Sequence, residues 1–503
     1  MGFKRYSTKN KMKTKETPNE KNKKEMPIIN EQKLKETFEQ CSDVVFSTLQ
    51  FNQHDVTLIY CSGLIDNEIF YKTILLRLEE YFKSSDELNN NLANKLQLPS
   101  LRSVESIEKA ENEIFSGKLL MYFKAINMLY SVDISNKPQR KPEETSLEIS
   151  FKGPRDNFIE DIIVNHALIR KRLPTTSFIS EQFKIGKRTK TRVFLLYMKD
   201  IANQNILKQI RSKINDIDID GLYSGAHLGE LLNENPYVIF PRYGYTGRPD
   251  FAVQTLLSGR FVILIDGVAY AILTPVTLFF LLKTAEDSET NYFYNAFERI
   301  IRVIGLSASI LLPGFWVALT TFHQNQIPFT LLATVIEARK GVPLPTAMEA
   351  FLMLSLFEVF REAGMRLPLS IGQTFSVIGG LIIGDAAIRA GLTSPAMLVI
   401  IAGSTIATFT LVNQTLIGIA SLMRFLTVII ASLFGFLGLF ASIYFFGIII
   451  ARIQSFDIPY LQVASRLSLK NAIKAFLKVP AHINTKRPSA VKPNDETNQG
   501  GSS

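Results

Sequence analysis

The run Phe425–Ala451, FLTVIIASLFGFLGLFASIYFFGIIIA, holds 27 residues without a charge and is closed by Arg452. A helix needs about 20 apolar residues to cross the hydrocarbon of a bilayer. This run is long enough to cross with tilt, so the sequence predicts a membrane segment near the end of the chain. Working back, Ser394–Met423 holds 30 residues without a charge, and Arg424 separates the two runs. Ile371–Ile388 carries one acid, Asp385. Val303–Phe322 is uncharged and contains Pro313-Gly314, which predicts a kinked helix. Spans are therefore expected near 303–322, 371–388, 394–423 and 425–451. Residues 327–365 fit less well. IPFTLLATVIEARKG is too short to cross, and TAMEAFLMLSLFEVFREAG carries Glu349, Glu358, Arg361 and Glu362. Each charge facing lipid would cost about 2.5–3.5 kcal/mol. Helices here are expected to be interfacial, re-entrant or turned toward protein.

The residues before 296 read as soluble and duplicated. TLIYCSGLIDNEIFYKTILLRLEE (57–80) and VFLLYMKDIANQNILKQIRSKIND (193–216) share one grammar of strand, turn and helix. SGKLLMYFKAINMLYSVD (116–133) resembles SGRFVILIDGVAYAILTP (258–275). Tyr60 and Tyr197, and Gly117 and Gly259, stand at nearly the same spacing, which points to two related units. Asp266-Gly267, between two apolar runs, makes 259–275 a β-hairpin and not a span. The fold class expected is an α+β cytosolic domain of two related α/β subdomains, followed by a polytopic α-helical membrane domain. The divisions are a disordered basic arm at 1–37, subdomains at 38–145 and 146–295, a transmembrane domain at 296–452 and a basic cytoplasmic tail at 453–503. Leu147–Phe151 is the expected link between subdomains.

The net charge of +10 is concentrated at the ends. Residues 1–25 hold nine Lys/Arg against three acids, and 453–503 hold seven against three. No apolar stretch follows the basic start, so a signal peptide is not expected. Basic arms beside a membrane point to anionic lipid on the cytoplasmic side. Few aromatics and no binding module speak against nucleic acid. With Arg299 and Arg302, these charges place the soluble domain and the tail in the cytoplasm, and four spans return the tail to that side. Arg424 then lies outside. Cys41 and Cys61 lack CxxC spacing, which leaves reduced thiols or a single disulfide.

No enzyme signature is present, and no cofactor or metal site is expected. The five His are scattered, and neither a phosphate loop nor a nucleophile elbow occurs. Gln373, Ser376, Val377, Gly380 and Gly384 fall on one small, partly polar helical face. That face either packs tightly on another helix or lines a narrow water path in an oligomer. Ser355, Glu358 and Glu362 share another face, where the acids either pair with Arg361 and Arg366 or form an acidic ring. In Gly153-Pro154-Arg155-Asp156 and Thr246-Gly247-Arg248-Pro249-Asp250, the Arg-Asp pairs either cap helices and pair locally, or dock a partner or the membrane domain. Asp156 is expected to cap the helix that follows it.

HQNQIP (323–328), ARKGVPLPTAMEAF (338–351) and FEVFREAGMRLPLSIGQTFSVIGGLIIGDAAIRAGLTSPAM (357–397) resemble the A-subunit of bacterial spore germinant receptors, the GerA family. KGPRDNFIEDIIVNHALIRKRL, DIDIDGLYSGAHLGELL, FPRYGYTGRPD and LLSGRFVILIDG extend the likeness through the soluble half. The resemblance implies a subunit of a nutrient sensor in the inner membrane of the spore. Its implied companions are a permease-like B-subunit and a lipoprotein C-subunit. It also implies a homo-oligomeric ring with a cation-conducting pore, gated in the helices from 346 to 388. Two positions depart from the family's pattern. Gly247 replaces an acid, and Val412-Asn413 replaces Pro-Asn, which removes a proline kink from that span.

Overall fold

The computed structural model describes residues 30–52, 54–84, 96, 98, 100–136, 153–233, 239–366, 384–461, 486–488 and 491–497. The expected link at Leu147–Phe151 and most of the expected span 371–388 lie outside them.

Two five-stranded antiparallel sheets form the amino-terminal half. The first contains β1 (Val44–Phe51), β2 (His54–Cys61), β3 (Arg102–Ser103), β4 (Lys118–Phe123) and β5 (Met128–Asp133), in the order β1-β2-β4-β5-β3. The second contains β6 (Phe178–Ile185), β7 (Thr191–Met198), β8 (Gly244–Thr246), β9 (Phe261–Ile265) and β10 (Ala271–Thr274), in the order β6-β7-β9-β10-β8. Strand for strand the two orders are the same. Tyr60 and Tyr197 occupy matching positions in β2 and β7, opposite Val45 and Ile179. Gly117 and Gly259 precede β4 and β9 with φ of 88° and 82°, a conformation that favours glycine. β9 and β10 pair across Asp266-Gly267, with Ile272 opposite Ile263.

Helices cover the sheets. α1 (Glu31–Phe38) buries Leu34 and Phe38 against the first sheet, so the basic arm gives way to folded chain before residue 37. α2 (Leu75–Ser84) and α3 (Ile107–Phe115) complete that subdomain, and α5 (Gln204–Asn215) and α7 (Pro249–Leu257) are their counterparts in the second. α4 (Ile162–Arg170) lies between the subdomains and is buried on nearly all sides. Asp161 caps it, its Oδ1 accepting from Ile163 N at 2.8 Å. Asp156, the expected cap, instead takes both its bonds from Arg172 at 2.6 Å. Asp161 directly precedes the apolar run, where its oxygen reaches the free amides of the first turn.

α4 also carries the clamp between subdomains. Arg170, fully buried, donates to both oxygens of Asp43 at 2.7 Å and to the Phe178 carbonyl at 3.2 Å. Its guanidinium lies 4.4 Å from the ring centroids of Phe115 and Phe178. Burial opposes the Asp43 charge, but Arg170 outweighs it and holds the carboxyl well below its usual range. Both cysteines are buried free thiols, and Cys61 donates to Asp43 at 3.1 Å.

After α6 (Gly225–Leu231) and α8 (Leu278–Leu281) the chain enters α9 (Tyr292–Phe322), a 31-residue helix that contains Pro313. α10 (Phe329–Ala338), α11 (Thr346–Arg366), α12 (Gly384–Arg389), α13 (Pro395–Thr408), α14 (Gln414–Phe434) and α15 (Phe436–Arg452) follow. Among the described residues, α9 and α14 are long and apolar enough to cross a membrane.

The uncharged runs do not coincide with helices. Ser394–Met423 breaks at Phe409–Asn413, where Asn413 caps a new helix through Thr415 N at 2.9 Å. Phe425–Ala451 breaks at Gly435, which has φ 61° and ends α14. The chain reverses there, with Gly435 lying against Phe322 and His323 at the far end of α9. A β-carbon at this position would come within 3.0 Å of those rings. Arg424 therefore lies in the body of α14, only 1% exposed, and not in a connection between two helices.

The second sheet and the helical half share one core. Phe240, Phe251, Leu273 and Phe280 belong to the same apolar cluster as Leu416, Ile419, Met423 and Phe446. After α15, β11 (Gln454–Ser455) and β12 (Ile458–Pro459) pair, and Leu278 N donates to the Tyr460 carbonyl at 3.1 Å. Part of the basic tail is docked on the same subdomain. Val491 is fully buried beside α5, and Asn494 donates to the carbonyls of Ile201 at 2.9 Å and Ala202 at 3.0 Å.

Candidate functional site

Among the described residues, a polar cluster lies where α11, α13 and α14 meet. Glu358 and Arg361 of α11 form a close ion pair. Arg361 Nη1 also donates to Ser421 Oγ of α14 at 2.6 Å. Arg424 stands 3.6 Å from Glu358 Oε2 and reaches Ser404 and Thr405 of α13, each at 3.4 Å. The set carries two cations and one anion. Four hydroxyl and carboxylate neighbours solvate the guanidinium groups, yet the buried Nε atoms of Arg361 and Arg424 find no acceptor among the described residues. Charges so placed are costly and mark helices whose packing depends on them.

A buried acid fixes α13. Glu349, with no exposed surface, accepts from Ser394 N at 2.6 Å, Ser394 Oγ at 2.7 Å and Thr393 Oγ1 at 3.0 Å. Arg339 is 3.8 Å away. The carboxylate meets the positive end of the α13 dipole. α11 is a continuous 21-residue helix that packs against α9, α13 and α14, where the sequence left an interfacial, a re-entrant and a protein-facing placement open. Glu349, Glu358 and Arg361 each have a charged or hydroxyl partner within the protein, while Glu362 and Arg366 pair on the surface.

The other expected residues divide. Gln373, Ser376, Val377 and Gly380 lie outside the described residues. Gly384 opens α12 against Leu398. Ser355 is partly buried on α11. Glu362 pairs with Arg366 at 2.7 Å on an exposed surface, so it does not join Glu358. Arg155 is exposed before α4. Arg248 is 1% exposed, held by Asp250 at 2.7 Å and Glu286 at 2.5 Å. Arg248 and Asp250 therefore brace α7 inside the subdomain and do not offer a docking surface. Sequence reading missed Arg424, Ser421 and Ser404 as members of a cluster. The available signal was a lone charge within an apolar stretch, with Ser421 one turn before it. Among the described residues no group of three or more His, Cys, Asp or Glu could hold a metal.

Comparison with known proteins finds relatives along nearly the whole chain. The family described as Bacillus/Clostridium GerA spore germination protein matches residues 32–490. Spore germination protein XA of Bacillus anthracis is 39% identical over 480 residues, 94% of this chain and 97% of that protein. Spore germination protein KA of Bacillus subtilis (strain 168) is 31% identical, over 91% of this chain and 85% of that protein. The crystal structure of the N-terminal domain of the A subunit of the Bacillus megaterium spore germinant receptor GerK3 is 26% identical, covers 48% of this chain and 92% of that one, and has a TM-score of 0.38. The chain belongs to the GerA family of spore germination proteins, as an A-subunit of the germinant-receptor type.

Proposed function

We propose that this chain is the A-subunit of a nutrient-responsive germinant receptor in the inner membrane of the spore, and that copies of it form a ligand-gated cation channel. Its soluble half and tail face the cytoplasm. Its helical half crosses the membrane several times, beside a permease-like B-subunit and a lipoprotein C-subunit. The observation that carries this reading is the Glu358–Arg361–Arg424 cluster. Ionised groups among lipid-spanning helices serve ion paths or the contacts that gate them more often than they serve stability. Purified receptor in liposomes should release trapped potassium when germinant is added, and Glu358→Gln should change the rate of release. A bulky Val377→Phe should block release if the 373–384 face lines the path. Release unchanged in both variants would exclude these helices from conduction.

A second reading is a non-conducting scaffold that passes a partner's signal onward. The core shared by the second sheet, α14 and α15 favours it, because it joins the cytoplasmic half to the helices without a hinge. Liposomes that never leak ions, from a receptor that still restores germination to spores, would select the scaffold.

A further inference from the structure

We propose that the cavity between the second sheet and the α13–α14 turn binds a small organic anion with an apolar body, a phosphate or carboxylate carried on a ring or short acyl stem. The cavity holds about 250 Å³. This is below the roughly 300–1,000 Å³ of pockets for drug-sized ligands, so it takes a headgroup or a single-ring acid. Its walls are aromatic. Tyr245 and Tyr270 meet edge to face with centroids 5.5 Å apart, and Phe251 stacks on Phe280 at 5.7 Å.

Two positive features lie on this apolar chamber. One is Lys283. Among the described residues no carboxylate is within ion-pair distance of its ammonium. The nearest acid acting on it, Asp287, is already shared by Arg299 at 3.1 Å and Arg302 at 2.8 Å. Arg260, buried against Phe280, bonds to the Pro275 carbonyl and brings further positive charge. Burial, then Arg299 and Arg260, push Lys283 down to about 8. An anion in the cavity would reverse that shift. The other feature is the start of α14, where Asn413, Gln414 and Thr415 line the cavity. Asn413 accepts from Thr415 N at 2.9 Å and Thr415 Oγ1 at 2.6 Å. This end of a 21-residue helix adds the positive pole of its dipole. Aromatic walls, an unneutralised lysine and a helix start together describe a receptor for an amphipathic anion. The inference stands apart from the conduction reading, since it needs no pore.

The ligand can come from the cytoplasm or from a lipid headgroup, and acetylation of Lys283 distinguishes the two. The full chain in phosphatidylcholine nanodiscs is pulsed with acetic anhydride near pH 8, and lysine labelling is read by mass spectrometry. With phenyl phosphate at ten times its half-protecting concentration, Lys283 labelling should fall about tenfold while exposed Lys187 is unchanged. In a second arm, phosphatidylglycerol replaces part of the lipid and phenyl phosphate is omitted. Protection in the first arm supports a soluble ligand, and protection in the second supports a headgroup. Ala226→Trp, which places a ring at the cavity wall, should abolish protection in either arm. Absence of protection in both arms, or protection that survives Ala226→Trp, overturns the proposal.

Discussion

Replacing Glu358 with Gln removes one charge and almost no volume, and so isolates the electrostatics of the helical half. Arg424 stands 3.6 Å from the lost carboxylate. At an effective dielectric constant near 20, that separation corresponds to about 4–5 kcal/mol of attraction. Glu358 is 30% exposed, and screening reduces the value. Removing one partner of a buried pair costs about 3–5 kcal/mol, and the lower end, about 3 kcal/mol, is expected here. Arg424→Met should behave differently. Glu358 keeps Arg361, and an apolar side chain replaces a buried cation, so the change should stay within about 1 kcal/mol of the parent. In the double variant Arg424 is no longer stranded, and much of the Glu358→Gln loss should be recovered. Unfolding in mixed micelles, followed by the fluorescence of Trp316, the single tryptophan, measures all four corners of the cycle. If the double variant loses the sum of the two single losses, Glu358 and Arg424 do not interact, and the cluster has been misread.

Four further expectations concern other regions. His166 is buried and held neutral, pushed down to about 4 mainly by burial, so stability should be lost as pH falls from about 6.5 toward 4. His166→Phe should flatten that window in acid-denaturation curves. The depressed Asp43 contributes stability above its unfolded value of 3.8 and loses it at lower pH, and Asp43→Asn should cost about 3–5 kcal/mol in denaturant titrations by stranding Arg170. Gly435→Ala should lower stability by about 1–3 kcal/mol, because its backbone is strained for other residues, and protease should reach the α14–α15 turn faster. Val491→Asp should release the docked tail and speed cleavage after Tyr460, with the helical half unchanged in circular dichroism.

The duplicated sheets were legible because each rests on local signals. Apolar strand runs and the glycines at 117 and 259 recur in both halves, and Asp266-Gly267 marks its turn by chemistry alone. The helical half resisted for a physical reason. Counting uncharged residues measures cost in lipid, but Gly435 ends a helix by conformation and adjacent ring contacts, neither of which changes hydropathy. Arg424 has its partner 66 positions away, so no spacing rule could join it to Glu358. Asp161 was readable and was passed over. It sits immediately before the first buried isoleucine, where an N-cap belongs. The tail gave no signal, since Val491 docks as a single side chain without a period.

The mechanical character of the amino-terminal half follows from its two seams. Between the second sheet and the helices the seam is hydrocarbon, interlocked like the interior of one domain, and it resists shear. Between the two sheets the seam includes a buried guanidinium grasping one carboxylate, with Thr176 N donating to Glu111 and a backbone bridge from Cys41 to Ser180 beside it. A force on the first subdomain bears on that buried ion pair as well as on apolar contacts. The arginine thus ties the outer sheet to a unit that already shares its interior with the helices.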